Sequence, residues 1–143
     1  MDLAQQEKDN QKVTYTYDLV INEDGAPLIK VDYEGKECYI FLDTGANNCA
    51  LNPEYKELIV EECGQQTDSV TTASGNIDVE YRMVKVPVPA DVYCIAYTSD
   101  NISIFNHFRE VYGIECIFLI GSTFLDATNA IIDYDNKKLS FTV

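Results

Sequence analysis

An all-β domain with two or three short helices is the fold class this sequence predicts, and three observations predict it. Runs of alternating apolar and polar residues recur along the chain, each bounded by glycine, proline, asparagine or aspartate, the pattern of half-buried strands between turns. Two further runs, residues 38–42 and 117–120, are apolar throughout, as strands buried on both faces are. A length of 143 residues suits one domain, and such a chain buries roughly two thirds of its unfolded surface in a single core.

Residues 1–12 are polar and read as a flexible N-terminal segment, with the domain spanning 13–143. From Val13 a strand places Val13, Tyr15, Tyr17 and Leu19 on one face and threonines on the other, up to turn signals at 22–25. A second strand covers residues 28–33. Glu34-Gly35-Lys36 makes a tight turn into the 38–42 strand, so a hairpin supports Asp43 from behind. Asn52-Pro53-Glu54 has the form of a helix start, with Asn as N-cap and Pro in the first turn, and gives a short helix to about Leu58.

Residues 70–72 and 77–83 flank the turn Ala73-Ser74-Gly75-Asn76, and the alternation shifts phase at Met83-Val84, where a bulge or bend is expected. Pro87 and Pro89 end that run, and residues 92–97 form another strand. Ile102, Phe105, Phe108, Val111 and Tyr112 recur at helical spacing, with Asp100 or Asn101 as cap and Gly113 as stop. After the 117–120 strand, Ser122 is expected to cap a short helix to about Thr128. Residues 130–133 and 139–143 close the chain as a hairpin.

Composition excludes several functions. With 24 acidic against 10 basic residues the formal charge is −14, which repels phosphate backbones and anionic membranes, so neither nucleic acid nor a membrane is expected as a partner. No apolar stretch reaches the roughly 18 residues of a membrane helix, and residues 1–12 lack a signal-peptide layout. A soluble, cytoplasmic protein is expected, although a chain trimmed of a leader would read the same way. The five cysteines are widely spaced with no Cys-x-x-Cys pair and read as reduced, mostly core residues, although an odd set of five still leaves four able to pair.

The chemistry converges on Asp43-Thr44-Gly45-Ala46. An apolar strand stops there on a carboxylate, and burying a carboxylate costs several kcal/mol unless hydrogen bonds or a shared proton compensate it. Gly45 can bring backbone N–H groups to that carboxylate, and Thr44 adds a hydroxyl. This loop resembles the active-site loop of retropepsin-like aspartic proteases. The second apolar stretch, Ile117-Phe118-Leu119-Ile120-Gly121-Ser122-Thr123-Phe124-Leu125, is similar to the apolar-apolar-Gly element and helix of that family, and Thr71 to Asn76 lies where a flap would be. The resemblance spans residues 28–143.

The resemblance implies a closed-barrel-like all-β fold and hydrolysis of peptide bonds. Two carboxylates are needed, yet Asp-Thr-Gly occurs once, so the second comes from another copy of the chain. In such a homodimer Asp43 meets its mate at the two-fold axis and the pair shares a proton. Family analogy gives Asp43, Thr44 and Gly45 catalytic roles, and places Ala46, Ala73, Ser74 and Gly75 beside the peptide substrate. It makes Leu119, Ile120 and Gly121 the structural support and puts residues 140–143 at the dimer interface. No cofactor and no metal are implied; a dimer doubles the formal charge of −14, which disfavours association at neutral pH and eases as carboxylates protonate, so an acidic optimum is expected.

Plainer readings stand beside these. Asp-Thr-Gly also occurs as an ordinary strand-end turn, and Ala73-Ser74-Gly75-Asn76 as an ordinary hairpin. His107, the only histidine, reads as a solvated residue with no nucleophile motif for partner. Asp133-Tyr134-Asp135-Asn136 lacks the remaining ligands of a calcium loop and reads as a turn. A catalytically inactive retropepsin-like binding or regulatory module is the alternative, since the first 27 residues and the 101–112 helix have no counterpart in the minimal family pattern.

Overall fold

Among the described residues the alternation in the sequence becomes a ladder of ten strands. The computed structural model describes residues 12–72, 75–100 and 102–143; residues 1–11 of the N-terminal segment, Ala73, Ser74 and Asn101 lie outside the described residues. The strands are β1 (Thr14–Ile21), β2 (Pro27–Tyr33), β3 (Lys36–Asp43), β4 (Cys49–Leu51), β5 (Ile59–Thr72), β6 (Gly75–Lys85), β7 (Tyr93–Thr98), β8 (Cys116–Gly121), β9 (Ile131–Asp133) and β10 (Lys138–Thr142). Their order is β5-β6-β7-β4-β8-β3-β2-β1-β10-β9.

The all-β class is as expected, but the closed barrel is not. Among the described residues β5 pairs with β6 alone and β9 with β10 alone, so the ladder ends at two edges. Closure would require those edges to meet. β9 offers only three residues, and β5 is committed to a long hairpin whose pairing to β6 is twice interrupted. Among the described residues no helix is long and apolar enough to cross a membrane.

Local chemistry explains most of the connections. Glu34 and Gly35 both take positive φ, 52° and 79°, in the two-residue loop that joins Tyr33 to its partner Lys36. That mirror-image turn matches the twist of a hairpin. Asn52 accepts the Glu54 N–H at 3.0 Å and starts the 3₁₀ helix Pro53–Leu58, while its amide donates to the Cys116 carbonyl at 3.0 Å. The bulge expected near Met83-Val84 lies in the facing strand. Val60 is the extra residue between the pairs Ile59–Val84 and Glu61–Met83, whereas β6 pairs with β7 without a break.

Two helix starts differ from expectation. The segment after β7 forms helix α1 (Ser103–His107), which widens into a π-helical turn, Phe108–Tyr112, and ends on Gly113 at φ 65°. Its N-cap is Ile102, in extended conformation and without a side-chain cap, rather than Asp100 or Asn101. Helix α2 (Ser122–Ala127) has Gly121 as N-cap, so Ser122 is its first helical residue rather than its cap. The reason is local. The Ser122 and Thr123 N–H groups bond the Ala46 and Asn47 carbonyls at 2.7 and 3.1 Å, which satisfies donors that a side chain would otherwise cap.

The fully apolar strands are buried on both faces, in two clusters. One face holds Cys38, Ile40, Leu42, Phe118 and Ile120; the other holds Leu119 and Cys116, with Tyr39 and Phe41 packed against them. The second face is covered by α1 and its π turn through Ile102, Phe105 and Phe108, the last meeting Phe41 edge-on at 5.1 Å. Arg109 ties this helical segment down, donating to Glu54 at 2.6 Å and to both oxygens of Glu115 at 2.7 and 3.1 Å. Tyr55 donates to Glu115 as well, at 2.9 Å.

The C-terminal strand is also committed. Residues 140–142 pair with β1, Ser140 pairs with Ile131 of β9, the Thr142 N–H bonds the Thr128 carbonyl at 2.7 Å, and Val13 and Val143 exchange backbone bonds at 2.8 and 2.9 Å. Residues 140–143, expected at a dimer interface, thus spend this backbone bonding within their own chain.

β8 lies between β3 and β4, parallel to the first and antiparallel to the second, so residues 43–48 must cross its end. Gly121, the last residue of β8, sits under that crossing. A Cβ there would come within 2.4 Å of the Asn48 carbonyl oxygen and 2.9 Å of its nitrogen. Backbone cannot yield as a flexible side chain can. Gly121→Ala is therefore expected to cost about 3 kcal/mol, and thermal unfolding should show a fall on the order of 10 °C; an unchanged midpoint would contradict the crossing. Glu115 gives a second prediction. Burial alone pushes its carboxyl up, but hydrogen bonds from Arg109 and Tyr55 outweigh this and hold it below its usual range. A depressed carboxyl contributes stability above its unfolded value, about 4.3, and loses it as pH falls through the folded value. Glu115→Gln should lower stability by about 1 kcal/mol at neutral pH, and denaturant titrations should show the gap closing below about pH 4.

Candidate active site

Asp43 is delivered to the end of β3 by the parallel pairing of that strand with β8, where it stands opposite Gly121. The expected strand-end carboxylate is half-buried rather than enclosed. Gly45 donates its N–H to the Asp43 carboxylate at 3.0 Å, and the Ala46 N–H bonds the Asp43 carbonyl at 3.1 Å. A Cβ on Gly45 would stand 3.3 Å from the carboxylate, so glycine lets the loop fold back onto it. Thr44 and Gly45 are exposed, and Ala46 is half-buried.

Apart from Thr44, which is exposed and not among the cavity residues, the residues expected at the site separate into three groups. Asp43, Gly45, Ala46 and Leu119 line one cavity of about 720 Å³. Ile120 and Gly121 lie behind it, fully buried beneath the loop, and support it from the core side. Gly75, exposed with φ 114°, opens β6 opposite Thr72 and is not among the cavity residues; Ala73 and Ser74 lie outside the described residues.

The same cavity holds residues that sequence reasoning did not assign to it. Tyr97 of β7 forms part of the wall, 6.4 Å from the Tyr81 ring, and its hydroxyl is pushed up by burial first and then by the negative charge of Asp43. The inserted helical segment supplies Ile102, Ser103, Ile104, Asn106, His107 and Glu110. His107 is exposed, as its polar surroundings imply, yet it faces the cavity and stands edge-on to Tyr112 at 5.8 Å. Its signal in the sequence was position: His107 and Glu110 are three residues apart, and that spacing puts them on one side of a helix. Where that side points depends on how the segment docks.

The arrangement provides one carboxylate held by backbone N–H, an adjoining cavity with apolar and polar walls, and no grouping of residues suited to a metal among those described. No family model matches the sequence, and no curated protein matches it. Solved structures do. The chain is similar to a retropepsin-like aspartic protease from Rickettsia conorii, with 17% identity, a TM-score of 0.54, and 93% of this chain and 96% of that one covered. The retroviral protease-like domain of Ddi1 from Leishmania major is similar at 14% identity and a TM-score of 0.42, over 80% of this chain and 91% of that one. On the similarity to the Rickettsia conorii structure, this chain has the retropepsin-like aspartic protease fold.

Proposed function

We propose that the protein is an aspartic endopeptidase that works as a homodimer. The observation that carries this reading is Asp43, held at a strand end by the Gly45 N–H and opening onto a cavity of about 720 Å³ within a retropepsin-like fold. A water-activating site of this kind needs a second carboxylate, and the chain has one Asp-Thr-Gly. Asp43 of a second copy supplies it across a two-fold axis.

Two carboxylates brought together at the axis cannot both ionise, so one proton is shared. The ionised member takes a proton from water as the water attacks the peptide carbonyl. Its protonated mate hydrogen-bonds the carbonyl oxygen, and proton transfer to the amide nitrogen releases the products. Thr44 hydrogen-bonds across the axis, a role its exposure supports. Ala46, with Ala73, Ser74 and Gly75 as flap, contacts the substrate backbone and excludes water.

Three observations favour a second reading, a retropepsin-like binding module in which Asp43 does not catalyse. The C-terminal strand, by which dimers of this family join, is paired within its own chain, and an inserted helix lines the cavity that holds Asp43. The high negative charge of each chain also opposes association at neutral pH and is relieved in acid.

Cleavage of a mixed peptide library between about pH 3 and 8 separates the readings. Wild-type protein is expected to cleave best below neutrality, and Asp43→Asn to lose at least about a thousandfold in rate. A confirmed dimer that cleaves nothing supports the binding module, and equal cleavage by both proteins excludes Asp43 from catalysis.

A further inference from the structure

We propose that the inserted helical segment sets side-chain preference at this site, with Glu110 recognising a cationic side chain, lysine or arginine, next to the scissile bond. The inference rests on the endopeptidase reading above and names its substrate class. One cavity is lined by both the Asp43 loop and Glu110, so a peptide whose carbonyl lies at Asp43 can send a neighbouring side chain toward the helix. The lining is largely apolar, with Tyr97, Leu119, Ile102 and Ile104 among it, and the same lining carries the Glu110 carboxylate. A largely apolar cavity with an anion in its lining suits a long alkyl stem with a charged head.

The charges on this wall support the sign. Among the described residues that line the cavity there is no lysine or arginine to neutralise Glu110. Arg109, its neighbour in sequence, is engaged by Glu54 and Glu115 and is not part of the lining. His107, three residues earlier, is the single basic group among the described lining residues. A substrate bearing a second carboxylate at this point would meet two acidic groups, Asp43 and Glu110, in one cavity, and like charges placed together are penalised. The formal charge of −14 also draws cationic peptides toward the chain.

The test compares peptides identical except for one residue beside the scissile bond, which is lysine, uncharged norleucine or glutamate, at a single pH where norleucine peptide is cleaved. Wild-type kcat/KM is expected to favour lysine over norleucine by about tenfold, the scale of one charge-assisted hydrogen bond. That ratio should fall to near one in Glu110→Gln, and Glu110→Lys should favour glutamate over lysine. Circular dichroism and the unfolding midpoint check that both variants fold. A wild-type ratio near one, or a lysine preference unchanged in Glu110→Gln, overturns the assignment while leaving the endopeptidase reading intact. Failure of wild-type protein to cleave any peptide overturns the endopeptidase reading. Affinity of the Asp43→Asn protein for the same peptides then decides the assignment: equal affinity for lysine and norleucine peptides overturns it, and a lysine preference lost on adding Glu110→Gln supports it.

Discussion

The site depends on a crossing of backbones. Because β8 lies between β3 and β4, the six residues from Asp43 to Asn48 pass over its end, and Gly121 leaves room for them. The first N–H groups of α2 then bond the Ala46 and Asn47 carbonyls at 2.7 and 3.1 Å. Backbone contacts thus fix the loop before any side chain does. Those contacts hold the Asp43 backbone at a strand end, and the Gly45 N–H meets its carboxylate. Stability and site geometry share one cause, since whatever moves Asn48 away from Gly121 moves the loop that begins at Asp43.

Burying β3 and β8 on both faces has a functional consequence. A strand apolar on both sides requires a cover on each, and the second cover is the helical segment from Ser103 to Tyr112. Phe105 and Phe108 face the sheet, while Ile104, His107 and Glu110 reach the cavity beside Asp43. The segment is therefore a core element and a cavity wall together. Arg109 anchors it from the outside through Glu54 and Glu115.

What the sequence made legible was local or strongly patterned. Residues 38–42 and 117–120 are apolar without interruption, so their burial and the position of Asp43 followed directly, as did the Glu34-Gly35 turn and the Asn52 cap. The rest depended on tertiary geometry. A phase change at Met83-Val84 indicates that pairing shifts, but not that the extra residue is Val60 in the opposite strand. Ser122 has the chemistry of an N-cap, yet carbonyls more than seventy residues earlier in the chain take the N–H groups of that helix start. Barrel closure failed because edge pairing depends on strand lengths that alternation does not determine, as three-residue β9 illustrates. Tyr97 and Glu110 joined the cavity through sheet order and helix docking, neither of which a single helix face or strand face reveals.

The central claim is that two chains make one catalytic site. Specific activity measured over a dilution series, with the dimer fraction followed by sedimentation at the same pH, tests it most directly. Activity per chain should fall on dilution in proportion to the dimer fraction, because a single chain has one Asp-Thr-Gly. Constant activity per chain at concentrations where the protein sediments as a monomer would contradict a dyad shared between subunits.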